Sequence, residues 1–96
     1  MNAVKEKLLT YKQVLRDPHA TKEDEYKAYD YVKNLIDEHI PEDYIKNIFY
    51  ARFIQLKPWT TIGLACNGLT DECVRKIVER YIAKLERRLI NEDTEI

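Results

Sequence analysis

Only five residues of this chain are strong breakers of regular structure: Gly63, Gly68, Pro18, Pro41 and Pro58. A sheet needs a tight turn every few residues, and tight turns draw on glycine and proline at positions of special backbone geometry. Five breakers in 96 residues leave long uninterrupted stretches, which are filled with Lys, Glu, Leu, Ala and Arg. These are the better helix formers. With 45% apolar and 34% charged residues, the chain can bury a core and is not of the disordered type. The expected fold class is all-α, with four to five helices and a C-terminal helix-turn-helix that ends in a long helix. The length accommodates one domain. Within it, residues 1–40 read as a helical scaffold, 41–90 as the helix-turn-helix region and 91–96 as a frayed acidic tail.

Apolar periodicity places the scaffold helices. The first spans about Ala3 to Leu15, with Val4, Leu8, Tyr11 and Leu15 on one stripe. Pro18 ends it, since proline disfavours helical geometry at the residue before it. Thr21 is an N-cap, followed by Glu23, Asp24 and Glu25 in the first turn. That second helix runs to about His39, with Tyr26, Tyr29, Val32, Leu35 and Ile36 as its apolar face and Tyr31 beside it. The tyrosines read as aromatic core with hydroxyls at the edge, not as a stacking surface for bases. Pro41 at the first helical position, followed by Glu42 and Asp43, opens a third helix. It runs to about Leu56 through Ile45, Ile48, Phe49, Arg52 and Phe53, widened by Tyr44, Tyr50 and Ile54. As the most hydrophobic helix, it is expected at the centre of the packing.

The segment WTTIGLACNGLTDECVRKI has the periodicity of two short helices joined by a tight turn. Gly63 follows the apolar Ile62 where a second helix would cross closest. Glycine within a helix costs roughly 1 kcal/mol relative to alanine, so close packing is the expected compensation. Cys66, Asn67, Gly68 and Leu69 form the turn, Asn67 and Gly68 being the types that tolerate left-handed angles. Leu69 is expected to plug the core. Thr70 caps the next helix, and Asp71 and Glu72 complement its positive end. In the usual spacing of a helix-turn-helix, the buried positions would fall on Cys73 and Lys76. A turn one residue longer moves them to Val74 and Ile77, continuing through Val78, Tyr81, Ile82, Leu85 and Leu89.

With these residues in view, the stretch YARFIQLKPWTTIGLACNGLTDECVRKIVERYIAKLE resembles region 4 of bacterial sigma factors. It looks closer still to the small phage transcriptional activators of the RinA and ArpU type. Arg52-Phe53, Trp59, Ile62, Gly63, Thr70, Val74, Ile77 and Arg80 fill comparable positions, over roughly residues 44–86. The longer turn, Gly63 in place of alanine, and the acidic Asp71-Glu72 pair are departures from that pattern. The resemblance implies a DNA-binding, phage-type transcription regulator, with double-stranded DNA read in the major groove and the transcription machinery as a further partner.

Charge is distributed unevenly. Residues 1–49 carry eight basic and ten acidic side chains, whereas residues 52–88 carry eight basic and four acidic. The second window is the one that would meet phosphates. On the exposed start of the last helix, Arg75 suits a bidentate contact to guanine, while Thr70 and Glu72 can reach base edges. Lys76 and Arg80 suit phosphates, as do Lys57, Thr60 and Thr61 at the start of the preceding helix. Trp59 reads as a core anchor at that helix start. The same charges also suit an ordinary solvated face, with Glu72 and Lys76 paired at i,i+4. That leaves a second function class, a helical protein-interaction, assembly or packaging module that does not read DNA.

No Gly-rich phosphate loop, activated nucleophile or ligand cluster occurs, so neither an enzyme nor a metal or cofactor site is expected. His19 and His39 stand isolated. Cys66 and Cys73 read as buried core thiols, reduced in a cytoplasmic protein. The chain opens without the pattern of a signal peptide, and no apolar run approaches the roughly 20 residues of a membrane span. The extension ERYIAKLERRLI can pack on the N-terminal helix or pair with a second copy; the homodimer is favoured because it would double the phosphate contacts.

Overall fold

The computed structural model describes residues 3–94, with side chains as far as Arg88. Six helices and no strand occur among the described residues. They are α1 (Ala3–Leu8), α2 (Thr10–Arg16), α3 (Lys22–His39), α4 (Asp43–Phe49), α5 (Trp59–Ala65) and α6 (Asp71–Thr94). A π-helical turn, Tyr50–Ile54, continues α4. The all-α expectation holds. One contiguous core joins Val4 and Leu8 of α1, Val32 and Ile36 of α3, Ile48 and Phe49 of α4, Phe53 of the π turn, Ile62 of α5, and Val74, Val78, Ile82 and Leu85 of α6.

The first helix is bent where continuity was expected. Around Leu9 the hydrogen bonds Leu9 N to Lys5 O and Gln13 N to Leu9 O persist, at 3.1 and 3.0 Å. The Thr10 hydroxyl lies 3.5 Å from the Glu6 carbonyl, too far for a strong back-bond. The bend turns Leu15 out to 40% exposure, so the stripe predicted through it is wrong at its last member.

Thr21 caps α3 as expected. Its hydroxyl accepts from Asp24 N at 3.1 Å, and the Asp24 carboxylate accepts from Thr21 N at 3.0 Å. These hydrogen bonds, with the Thr21 amide first, hold the Asp24 carboxyl below its ordinary range. The buried face of α3, however, is Ala28, Val32 and Ile36, extended by Ile40. Tyr26, at 69% exposure, and Tyr29 and Tyr31 are outside the core, contrary to the expected aromatic core face. Ala28 and Val14 line a groove between α2 and α3, with Tyr31 at its edge.

Glu42 is the N-cap of α4, which places Pro41 before the helix and not at its first position. Phe49, fully buried, packs on Phe53 and edge-on against Tyr81, with ring centroids 5.6 and 5.8 Å apart. Tyr44 does not join this face and is half exposed. Tyr50 donates to Asp37 and thereby ties the π turn to α3.

Helix α6 crosses the molecule and holds α1. The Glu86 carboxylate accepts from the Ala3 and Val4 amides at 3.1 and 2.9 Å, satisfying two donors at a helix start. So α6 packs on the N-terminal helix, one of the two outcomes the sequence allowed. The helix continues to Thr94, past the start of the expected frayed tail. Glu95 and Ile96 lie outside the described residues, as do the side chains of Leu89 and Ile90.

Tyr81 on α6 donates to Glu42 at 2.6 Å. Burial, then this contact, pushes the Tyr81 phenol up to about 12, and the same hydrogen bond lowers the Glu42 carboxyl below 4.5. A raised phenol contributes its stability in full below pH 10.0 and loses it as pH climbs toward about 12. A lowered carboxyl contributes above pH 4.5 and loses its contribution as pH falls through the folded value. Tyr81→Phe should therefore return the Glu42 carboxyl toward 4.5, read by NMR titration of the carboxyl carbon. Glu86→Ala should lower the urea unfolding free energy by about 1 kcal/mol, whereas Arg87→Ala, at an exposed position, should leave the midpoint in place.

Candidate nucleic-acid interface

The chain reaches α5 through a strained exit from the π turn. Gln55 N bonds Tyr50 O and Lys57 N bonds Ala51 O, both at 2.9 Å, so the last turns widen. Leu56 then adopts φ +56°, a left-handed angle uncommon for a bulky residue. This reversal stops the third helix before Leu56, where the sequence pattern places its end. Pro58, extended at φ −68° and ψ 154°, precedes Trp59, the first residue of α5. The Arg52 guanidinium lies 4.2 Å from the Trp59 ring centroid and donates to the Lys57 carbonyl at 3.2 Å. Partial burial lowers the Arg52 pKa. Trp59 packs on the rim of the core and is the anchor expected of it.

Gly63 is buried, and the reason is steric. A Cβ at this position would stand 2.3 Å from the Leu69 carbonyl oxygen and 3.3 Å from the Thr70 carbonyl carbon. Five residues, Cys66 to Thr70, separate α5 from α6, more than the usual three or four of such turns. Asn67 and Gly68 are both left-handed, at φ 62° and 74°. Leu69 is half-buried against the core. The Thr70 hydroxyl accepts from Cys73 N at 3.2 Å and caps α6. Val74 and Val78 are fully buried and Ile77 half-buried, while Cys73 and Lys76 are exposed. The register expected from the longer turn is the one observed.

Lys57, Thr60, Thr61, Thr70, Glu72, Arg75, Lys76 and Arg80 are all exposed. Arg75 and Glu72 share a shallow recess of about 190 Å³ with Trp59 and Asp71. The start of α5 thus sits beside the first turn of α6. Glu72 and Lys76 form an exposed ion pair at 3.3 Å. The Asp71 carboxylate accepts from Glu72 N at 2.9 Å. Arg80 lies one turn beyond Lys76. Lys57 and Thr61 are not in that recess; they line a separate groove of about 200 Å³ between α4 and α5.

That second groove has no counterpart in the sequence pattern. Its floor is Ile48, Ala51 and Ile62, and its rim carries Tyr44 and Cys66. Burial, and then the Cys66 thiol facing it, raise the Tyr44 phenol. Periodicity assigns Tyr44 to an apolar face, and the one signal of its place here is its position a turn before Ile48. The cysteine expectation needs correction as well. Cys73 is exposed and Cys66 only half-buried, both as free thiols, because the register that buries Val74 turns Cys73 outward.

Among the described residues, no cluster of three or more His, Cys, Asp or Glu could hold a metal ion, and no helix is long and apolar enough to cross a membrane. No family model, curated protein or solved structure matches the chain.

The Gly63 contact has a measurable consequence. Gly63→Ala gains about 1 kcal/mol in helix propensity, yet must push the Leu69 backbone away. A net destabilisation of about 1–3 kcal/mol, the range for overpacking, is expected in urea denaturation. Unchanged or increased stability would show that the two helices do not meet as described.

Proposed function

We propose that the chain is a DNA-binding protein of the helix-turn-helix type, acting as a transcription regulator, with α6 entering the major groove of double-stranded DNA. The observation that carries this reading is the seating of Gly63 against the Leu69–Thr70 backbone. It fixes α6 beside the start of α5 and leaves the first turns of α6 exposed. Arg75 on that surface has the donor geometry for guanine, and Thr70 and Glu72 are within a turn of it. Lys76, Arg80 and Thr60 supply charge and hydroxyl for phosphates, and Lys57 and Thr61 extend the contact along the backbone. Pairing of two copies through the C-terminal end of α6 belongs to the same proposal, since two modules double the phosphate contacts.

One observation favours a second reading, a helical interaction or assembly module that does not touch DNA. Leu64, on the outer face of α5, is 75% exposed, and Asp71 and Glu72 front α6. A protein partner would cover the first and tolerate the second.

Titration of a random-sequence duplex at 50 and 200 mM salt separates the two. Three Lys or Arg contacts to phosphate give a fall in affinity of about fortyfold over that interval. On a selected site, Arg75→Ala should weaken binding by about tenfold or more, while Lys76→Ala should weaken all sequences alike and flatten the salt dependence. Absence of binding even at 50 mM would overturn the DNA reading.

A further inference from the structure

Where α2 packs on α3, three tyrosine rings line one open groove, and Tyr11 reaches from it to the edge of the core. Tyr11 of α2 meets Tyr29 of α3 edge to face, with centroids 5.5 Å apart and planes at 81°. Tyr26, one turn before Tyr29, is 69% exposed. Together with Glu25 and Lys22 they line an open groove of about 410 Å³. Tyr50 and Tyr81 engage their hydroxyls with Asp37 and Glu42; among the described residues, the hydroxyls of Tyr11, Tyr26 and Tyr29 have no such bond. The chain also stacks its own cations on aromatic faces elsewhere, Arg52 on Trp59 and Lys84 on Tyr81. No described cation is stacked on this trio.

The neighbouring acids differ in the same way. Glu23 is paired with Lys27 at 3.3 Å, and Asp24 is held in the cap with Thr21. The carboxylate of Glu25, half-buried among the rings, has no hydrogen bond or ion pair among the described residues. Aromatic faces are electron-rich and attract a cation lying over them, and an unpaired carboxylate beside them supplies a full opposite charge. The unpaired Glu25 carboxylate favours a cation over a phosphate at the rings themselves.

We propose that the groove formed by Tyr11, Tyr26, Tyr29 and Glu25 is a docking site for the cationic side chain, arginine or lysine, of a segment of a partner protein. The groove is open along one side, so a side chain can enter while its own backbone runs across α2 and α3. Tyrosine presents a large rigid surface at low entropic cost, which is why it is enriched among the residues that dominate protein interfaces. Lys22, on the rim, opposes the ligand. The site stands on α2 and α3, whereas the surface assigned to DNA is on α5 and α6, and either assignment can fail without the other.

The test uses the full chain and three short peptides of equal length, bearing arginine, lysine, or citrulline in place of arginine. Citrulline keeps the shape of arginine and removes the charge. Tyrosine ring resonances are followed by NMR. The arginine and lysine peptides should shift Tyr11, Tyr26 and Tyr29 saturably, and the citrulline peptide should bind about fivefold or more weakly. Tyr26→Ala and Glu25→Gln, both away from the core, should each weaken the arginine peptide by about fivefold; Lys22→Ala should tighten it. Equal binding of the citrulline peptide, or shifts spread over every acidic helix without preference for these rings, would overturn the proposal. So would a sedimentation measurement in which Tyr26→Ala turns a dimer into a monomer, because the groove would then be covered by a second copy.

Discussion

A steric fact at one residue governs how the C-terminal half of the molecule is assembled. Where α5 meets the turn, the space beside Gly63 is filled by the Leu69 carbonyl, and no side chain fits. The approach is close because two successive left-handed residues, Asn67 and Gly68, fold the chain back on itself. Leu69 is thereby directed at the core and Thr70 placed to cap α6. The cap in turn sets the rotation of α6, and rotation decides which residues face inward. Val74 and Val78 are buried only because the helix starts where it does; one residue earlier, Cys73 and Ile77 would take those places. The arrangement of every exposed residue on α6, Arg75 included, follows from that single contact.

Upstream of α5, the π turn has the corresponding role. A regular helix through residue 56 would carry the chain away from the core along α4. The wider turn over Tyr50–Ile54 and the left-handed Leu56 instead swing Trp59 back beside Arg52. A left-handed non-glycine residue costs on the order of 1–3 kcal/mol and persists only where the surroundings hold it. Here the Arg52 bond to the Lys57 carbonyl and the stacking on Trp59 do so. π turns of this type occur often at functional sites, and this one delivers the helix that carries Thr60 and Thr61.

What the residues made legible in advance was local chemistry with few alternatives. Asn67-Gly68 is a turn because little else tolerates those angles, Thr21 and Thr70 are caps because their hydroxyls replace missing amide partners, and an interior glycine demands a close neighbour. The features that escaped are those for which two physical outcomes fit one pattern. Tyrosine satisfies an apolar periodicity and also tolerates water, so Tyr26 and Tyr29 could complete a stripe on paper while Ala28 did the packing. Leu15 fell on the expected spacing, but the helix is interrupted at Leu9 and the stripe does not continue through the break. The Glu86 cap on α1 joins residues 82 apart in the chain and has no local signature. Of the candidate surface, the exposure of Thr70, Glu72, Arg75 and Lys76 was foreseen; the division between the Trp59 recess and the groove that takes Lys57 and Thr61 was not.

A net charge of −1 does not by itself weigh against a DNA surface, because the relevant field is local. The Debye length at physiological salt is about 8 Å, so acids farther than this from a phosphate are largely screened from it. The sharper objection is the pairing of Lys76 with Glu72, which occupies the cation in advance. That pair is exposed on both sides, with more than half of each side chain accessible. Exposed pairs are worth about 0–1 kcal/mol, and one fewer phosphate contact lowers the salt exponent by about 0.9. The two magnitudes permit Lys76 to exchange its partner with little loss. In the proposed complex, Glu72, once released, would be free to accept a hydrogen bond from cytosine instead of repelling the backbone. An acidic residue at the start of α6 would therefore limit which bases the proposed complex could read.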